Sequence, residues 1–510
     1  MRLKAIACLL LCFVLISAIL AGCADNGNEN SSGQESVPAG SEASQTSEPV
    51  STEDDPYRDE AGIYSAKHLP AFDDDWKSYE EFRVLVYSDE SQKTYYSEEI
   101  EPLYDTTDQA IIDGVNTRNA WISDNYGITV RAIPVPDVLA TVRAEMSAYS
   151  DMFDAAMPFM SACAVLSQEG VLYDLCEFSD YIDLDAPWWD DNATKSMSIG
   201  DRVYFTTGDM SIMQKIVSSG VAFNKTLLND HFPGVDLYQI VDEGKWTLDR
   251  LYSMSKEITT QLVDDGVMDE NDLWGCVDTG PSFFYGSGEQ LVTKDADNKP
   301  MLSLGSTQRS IDVAQKVLTI SIETKTWLAT VADWTDRSDI YGMIVKVFGE
   351  DRSLFMLFHF SAIKKLRPYD AQFGIIPAAK YDEEQDGYFT KCSAYSAYGT
   401  CLPLCVKDPE FSAYMCELMA IGGKNNISNA YYNVVLKGKD IKDEASERML
   451  DLIFNNILYD PAIVYGFSGL NNIFTTLISK KSTDISSTLE SMKDSINLAI
   501  DEVIDAYENY

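Results

Sequence analysis

The chain has 510 residues, 45% hydrophobic and 11% aromatic. That is enough apolar material for a large body of two or three lobes rather than one small domain. Its formal net charge of -42 sets up a field that repels phosphate, which excludes nucleic acid and anionic lipid as partners and suits a neutral or cationic small ligand.

The chain opens with Arg2 and Lys4, continues through an apolar core over 5–20, and reaches Leu20-Ala21-Gly22-Cys23. A basic start, a short apolar run and small residues before a cysteine predict an export signal over 1–22, cut so that the thiol of Cys23 takes lipid. The run is too short for a spanning helix. The expectation is a protein held on the outer face of a cell membrane, since several acyl chains on one cysteine anchor durably where a single chain would not. Residues 23–56 are rich in Ser, Glu, Gly, Asn, Gln and Thr. They cannot bury enough surface to offset their ordering entropy, so they read as a disordered tether spanning roughly 30 Å.

Beyond the tether, residues 82–87 predict a strand. Ile111, Ile112, Val115, Trp121 and Ile122 recur at helical spacing up to Gly127. A second strand is expected over 128–133, a helix over 138–149 and a short strand over 153–158. Strands alternating with helices at this interval point to parallel, doubly wound α/β units. Further strands are expected at 202–205, 219–223, 353–360 and 373–376. Thr247 is the expected N-cap of one helix, and 311–322 forms another. From 411 onward the pattern is mostly helical.

Chemistry-bearing motifs are sparse. There are only 3 histidines, His68, His231 and His359, and neither a His-Glu-x-x-His zinc motif nor a nucleophile elbow is present. Cys163, Cys176, Cys276, Cys392, Cys401, Cys405 and Cys416 remain once the signal is cut and Cys23 lipidated. Their odd number and irregular spacing are those of free thiols rather than a disulfide framework. Cys401 and Cys405 have half a zinc site's spacing and no partner pair. The acidic loop 264–272 has Gly266 where a calcium loop turns, but Gln261 and Val263 fall where charged oxygen donors are required. No metal, cofactor or catalytic residue is expected, although abundant carboxylates leave a glycosidase pair open by count alone.

Several segments together resemble one family. They are Tyr173-Asp174-Leu175, Pro187-Trp188-Trp189-Asp190, Gly200-Asp201-Arg202-Val203-Tyr204-Phe205, Val221-Ala222-Phe223-Asn224-Lys225-Thr226-Leu227, Gly244-Lys245-Trp246-Thr247-Leu248-Asp249 and Phe373-Gly374-Ile375-Ile376-Pro377. In order and spacing the chain resembles the carbohydrate-binding lipoprotein subunits of bacterial ABC importers, the relatives of maltose-binding protein. The resemblance implies an α/β, two-lobed periplasmic-binding-protein-like fold of type II. Each doubly wound lobe would join the other at a hinge, with a helical C-terminal part. It implies a first lobe over 80–218, a second over 219–338, a return to the first over 339–388, and the rest of the second over 389–510.

It also implies a monomer that closes on a small ligand, expected to be an oligosaccharide, and passes it to permease subunits in the membrane. The alternatives are a surface carbohydrate-active enzyme and a surface binding lipoprotein outside transport. Loops at strand ends would line the cleft: Ser88 and Asp89, Phe159 and Ser161, Trp188 and Trp189, Asp209 and Ser211, Phe283 and Phe284, His359, and Tyr465. Flat aromatic faces suit the apolar faces of pyranoses, and planar polar groups suit their hydroxyls.

Overall fold

The computed structural model describes residues 55–509, apart from 91–94, 105–106, 279–281, 324–325, 330–332, 334–338, 434–435 and 437–443. The lipidation residue Cys23, the signal and most of the tether lie outside the described residues. No described helix is long and apolar enough to cross a membrane.

The first body is built on β1 (Glu81–Tyr87), flanked in parallel by β2 (Thr129–Val135) and β3 (Ala155–Ala156). β1 is almost wholly buried, as a central strand covered on both faces must be. The crossover helix α1 (Gln109–Tyr126) returns the chain from β1 to β2, and α2 (Val138–Ala148) returns it from β2 to β3. Gly127 ends α1 at φ 73°, the left-handed conformation that costs glycine nothing. Asp137 starts α2 by accepting the Ala140 amide at 3.0 Å. Helix α3 (Met160–Gln168) follows β3.

The second body holds β4 (Ser219–Asn224), β5 (Trp274–Asp278), the hairpin of β6 (Val292–Lys294) with β7 (Pro300–Leu302), β8 (Trp327–Ala329), β9 (Ser353–His359) and β10 (Phe373–Ile376). Its five-stranded sheet runs β10-β4-β9-β5-β8. β4 is antiparallel to β9 and β10, and β5 is parallel to β8 and β9. Every residue of β4 is buried, as are the first six of β9. Each large apolar side chain so buried contributes roughly 1.5–3 kcal/mol. Thr247 caps its helix as expected, accepting from the Arg250 amide. β11 (Thr390–Lys391) pairs in parallel with β12 (Ile457–Leu458).

Two expectations are corrected. Residues 202–205 form no strand: the Val203 amide donates to Asp174 at 3.0 Å and the Arg202 amide turns back to the Ile199 carbonyl at 3.2 Å. The segment order also differs. β9 and β10, expected in a first-lobe return over 339–388, belong to the sheet of β4. The return comes later, inside the stretch assigned to the second lobe. There Tyr398, Thr400, Cys401 and Pro403 bridge to Phe159, Thr206, Ala156 and Leu172 of the first body. Helix Pro409–Gly422 and the turn Gly423–Ser428 then pack on α1. A strand buried on both faces looks the same in sequence whichever sheet it joins, which is why the pattern could not assign β9. The outward and returning crossings lie side by side, with Ser218 bridged to Cys392 and the Ser393 amide on the Val217 carbonyl.

Candidate functional site

The C-terminal end of β1 supplies Tyr87 and Ser88, and the chain after β3 supplies Phe159 and Ser161. The returning segment supplies Tyr398 against them. The rings of Tyr87 and Phe159 are 4.1 Å apart at 17°, and Phe159 and Tyr398 are 5.5 Å apart at 18°. Tyr87 and Tyr398 are also 6.1 Å apart at 19°, so three near-parallel rings form a compact buried cluster at the strand ends. The Tyr398 hydroxyl donates to the Tyr95 carbonyl at 2.6 Å, which fixes the cluster to the loop that follows β1. Main-chain bonds hold the base, with the Met160 amide on Ala397 at 2.9 Å and the Ser161 amide on Ala394 at 3.0 Å.

The second body answers with the ends of β9 and β4. His359 Nδ1 lies 3.3 Å from the Tyr341 hydroxyl, and Tyr341 in turn hydrogen-bonds the side chain of Tyr95. Burial, and then the charge of Lys391, push the His359 imidazole down to about 3, so this ring is neutral near pH 7. Burial likewise raises the Tyr87 phenol above its ordinary value. The groups named so far are themselves uncharged, with the charge of Lys391 near His359 and that of Glu99 near Tyr398. Two hydroxyls here are unsatisfied. Ser88 Oγ and Ser219 Oγ are buried without a hydrogen-bond partner among the described residues, and Ser219 sits opposite His359 in the β4/β9 register. A buried hydroxyl left unpaired costs about 1–3 kcal/mol, a cost that an incoming hydroxyl-bearing ligand would remove.

The other expected site residues lie elsewhere. Asp89 is exposed, and its amide donates to the Tyr104 hydroxyl oxygen at 3.2 Å. Asp209 is not an open carboxylate. It is buried, with Lys215 Nζ at 2.8 Å, Lys424 Nζ at 3.0 Å and the Ser428 hydroxyl also donating to it. Burial alone would raise its carboxyl, but the two ammonium groups outweigh that and hold it below the ordinary carboxylate value. Gly208 beside it is obligatory, since a Cβ there would lie 2.4 Å from the Trp188 carbonyl. Ser211 accepts the Met213 amide and donates to Glu99 at 2.7 Å.

Trp188 is wholly buried under the segment that leads in from the tether, with Tyr57 at 5.3 Å and His68 at 5.3 Å between ring centres. Trp189 donates to Glu417 at 2.7 Å, and His68 Nε2 holds the other Glu417 oxygen at 3.1 Å. Phe283 packs on Trp327 and Phe284 on Phe474 in the core. Tyr465 is tied to Tyr507 through their hydroxyls at 2.6 Å. Sequence reading missed Tyr87, Tyr95, Ser219, Tyr341 and Tyr398. Only Tyr87 and Ser219, at the ends of legible strands, carried a signal.

Among the described residues no group of three or more His, Cys, Asp or Glu side chains could hold a metal ion. The acidic loop is closed on itself: the Asp272 carboxylate accepts the amides of Leu262 at 2.7 Å, Val263 at 3.2 Å and Asp269 at 3.0 Å.

No family model and no curated protein sequence matches the chain. Solved structures do. A cyclo/maltodextrin-binding protein complexed with maltotetraose aligns over 85% of this chain and 97% of its own, at 14% identity and a TM-score of 0.52. The fold is the two-lobed, type II fold of periplasmic binding proteins. An ABC substrate-binding protein of Listeria monocytogenes in complex with cycloalternan shares it over 83% of this chain and 100% of its own, at 11% identity and a TM-score of 0.52. UgpB of Mycobacterium tuberculosis in complex with glycerophosphocholine covers 83% and 99%, at 12% identity and a TM-score of 0.52. In open α/β sheets of this kind, ligands bind outside the carboxyl ends of the strands, and the ring cluster lies at the carboxyl ends of β1 and β3.

Proposed function

We propose that this chain is a membrane-anchored extracellular solute-binding protein. It captures a neutral sugar, an oligosaccharide by preference, between its two lobes and hands it to an ABC permease. The anchor is the lipid on Cys23, the working unit is a monomer, and the site performs no chemistry. The observation that carries this reading is the cluster of Tyr87, Phe159 and Tyr398, with the unpaired buried hydroxyl of Ser88 next to Tyr87 in the chain and that of Ser219 opposite His359. Aromatic faces cover the apolar face of a pyranose, and hydroxyls in want of a partner receive its own hydroxyls. A neutral His359 among these groups supports a neutral ligand. Closure is favourable when the ligand touches both lobes, because a ligand with equal affinity for the open and closed forms shifts nothing.

A melting screen tests it, with maltose, maltotetraose, cycloalternan and tagatose as sugars and glycerophosphocholine as the contrasting ligand. A sugar at about 100 times its dissociation constant adds roughly 2.7 kcal/mol to stability. A shift with sugars alone supports the reading, and a shift with glycerophosphocholine alone replaces the sugar by a phosphodiester. Sugar turnover during the incubation would convert the binder into an enzyme. Binding that persists where the cell carries no cognate permease would make it a surface binder outside transport.

A further inference from the structure

A second group of charges links the two bodies apart from the ring cluster. Asp108 stands at the N-cap position of α1, in the first body, but its side chain does not accept from the amides of that helix. Its Oδ2 lies instead 3.2 Å from Lys364 Nζ and 3.8 Å from Arg367 Nη2. Both cations belong to the second body, Lys364 in helix Ile363–Leu366 and Arg367 as its C-cap; that helix follows β9 and packs against helix Ile340–Gly349. The Asp108 side chain is only 9% exposed, while those of Lys364 and Arg367 are 35% and 37% exposed. Asp137, at the same position of α2, does cap its own helix. So one cap is used for local structure and the other is turned across to the opposite lobe.

We infer that Asp108, Lys364 and Arg367 form an ion-pair latch that holds the two lobes together without touching the ligand. The attraction exists only when the lobes meet. It therefore biases the open-to-closed equilibrium before ligand arrives, and a larger closed fraction raises apparent affinity in proportion. An exposed pair shifts an equilibrium by up to about fivefold. Two cations on one largely buried carboxylate should shift it by about tenfold, with the effect weakened by salt as the cationic ends are screened.

The inference rests on the lobe closure of the proposed function, but its test needs no ligand. Dyes are placed through non-natural amino acids at Tyr149 in the first body and Leu262 in the second, both exposed, and energy transfer is read on single full-length molecules without sugar. Asp108→Asn should lower the closed-to-open ratio about tenfold, and Lys364→Gln with Arg367→Gln should do the same from the other side. Asp108→Arg combined with Lys364→Asp and Arg367→Asp should restore most of it. Asp137→Ala should lower the melting temperature and leave the ratio unchanged. Identical distributions for wild type and Asp108→Asn at low salt would overturn the latch, as would failure of the charge swap to restore closure in a protein that melts normally. Loss of closure in these variants with no sugar bound by any of them would leave the latch standing and remove the sugar reading.

Discussion

Two buried polar regions of this molecule differ in one respect. At the crossing between lobes, Asp209 is met by Lys215, Lys424 and Ser428. At the strand ends, the hydroxyls of Ser88 and Ser219 have no hydrogen-bond partner among the described residues. A buried charge that has found its partners maintains structure, and removing one of them leaves the rest uncompensated. A buried hydroxyl without a partner is a standing cost, which a fold keeps where something else supplies the bond. Other buried polar atoms, such as Gln214 Oε1, also lack a partner among the described residues, so it is the position of Ser88 and Ser219 at the strand ends, together with their unmet hydroxyls, that marks them out.

The largest expected effect breaks the scaffold side of this contrast. Asp209→Ala leaves two ammonium groups facing each other and should lower unfolding free energy by about 3–5 kcal/mol, read by denaturant titration. Its effect on sugar affinity should be small. The same group sets an acid dependence. With its folded-state value lowered, the stability it contributes is present above the ordinary carboxylate range and lost as pH falls through the lowered value. Unchanged stability in the alanine variant, with tenfold weaker binding, would return Asp209 to the ligand site.

A smaller effect should come from His359. Burial and Lys391 hold its folded-state value at about 3, well below that of an unfolded histidine, about 6.5. The unfolded chain takes up the proton first, so stability falls as pH drops from about 6.5 toward 3. His359→Gln should flatten that part of the melting-versus-pH curve. An unaltered curve would mean that the imidazole titrates freely and that the cleft is wetter than its geometry indicates.

Much of the frame was legible in the chain itself. β1, β2, β4, β9 and β10 stood out because runs such as Val84-Leu85-Val86 and Leu354-Phe355-Met356-Leu357-Phe358 have few other ways to be buried. Residues 202–205 looked the same but failed, because the side chain of Asp174 took the amide that a ladder would have used. The rule that sites lie at strand ends pointed to Ser88, Phe159 and His359, which belong to the proposed site. It could not separate them from Trp188, Phe284 or Tyr465, since whether an aromatic ring faces a cleft or a core depends on contacts distant in sequence. Tyr398 reaches Phe159 only through the late return of the chain, and the expected segment order hid that return.

The contrast between the two regions is tested most directly by Ser88→Ala, melted with and without the sugar that shifts the wild type most. Removing a buried hydroxyl that has no partner should raise the unliganded unfolding free energy by about 1 kcal/mol, and the lost ligand bond should weaken sugar affinity about fivefold to tenfold. Opposite signs in the two measurements are the predicted result. A lowered melting point without sugar, together with an undiminished sugar-induced shift, would contradict the account.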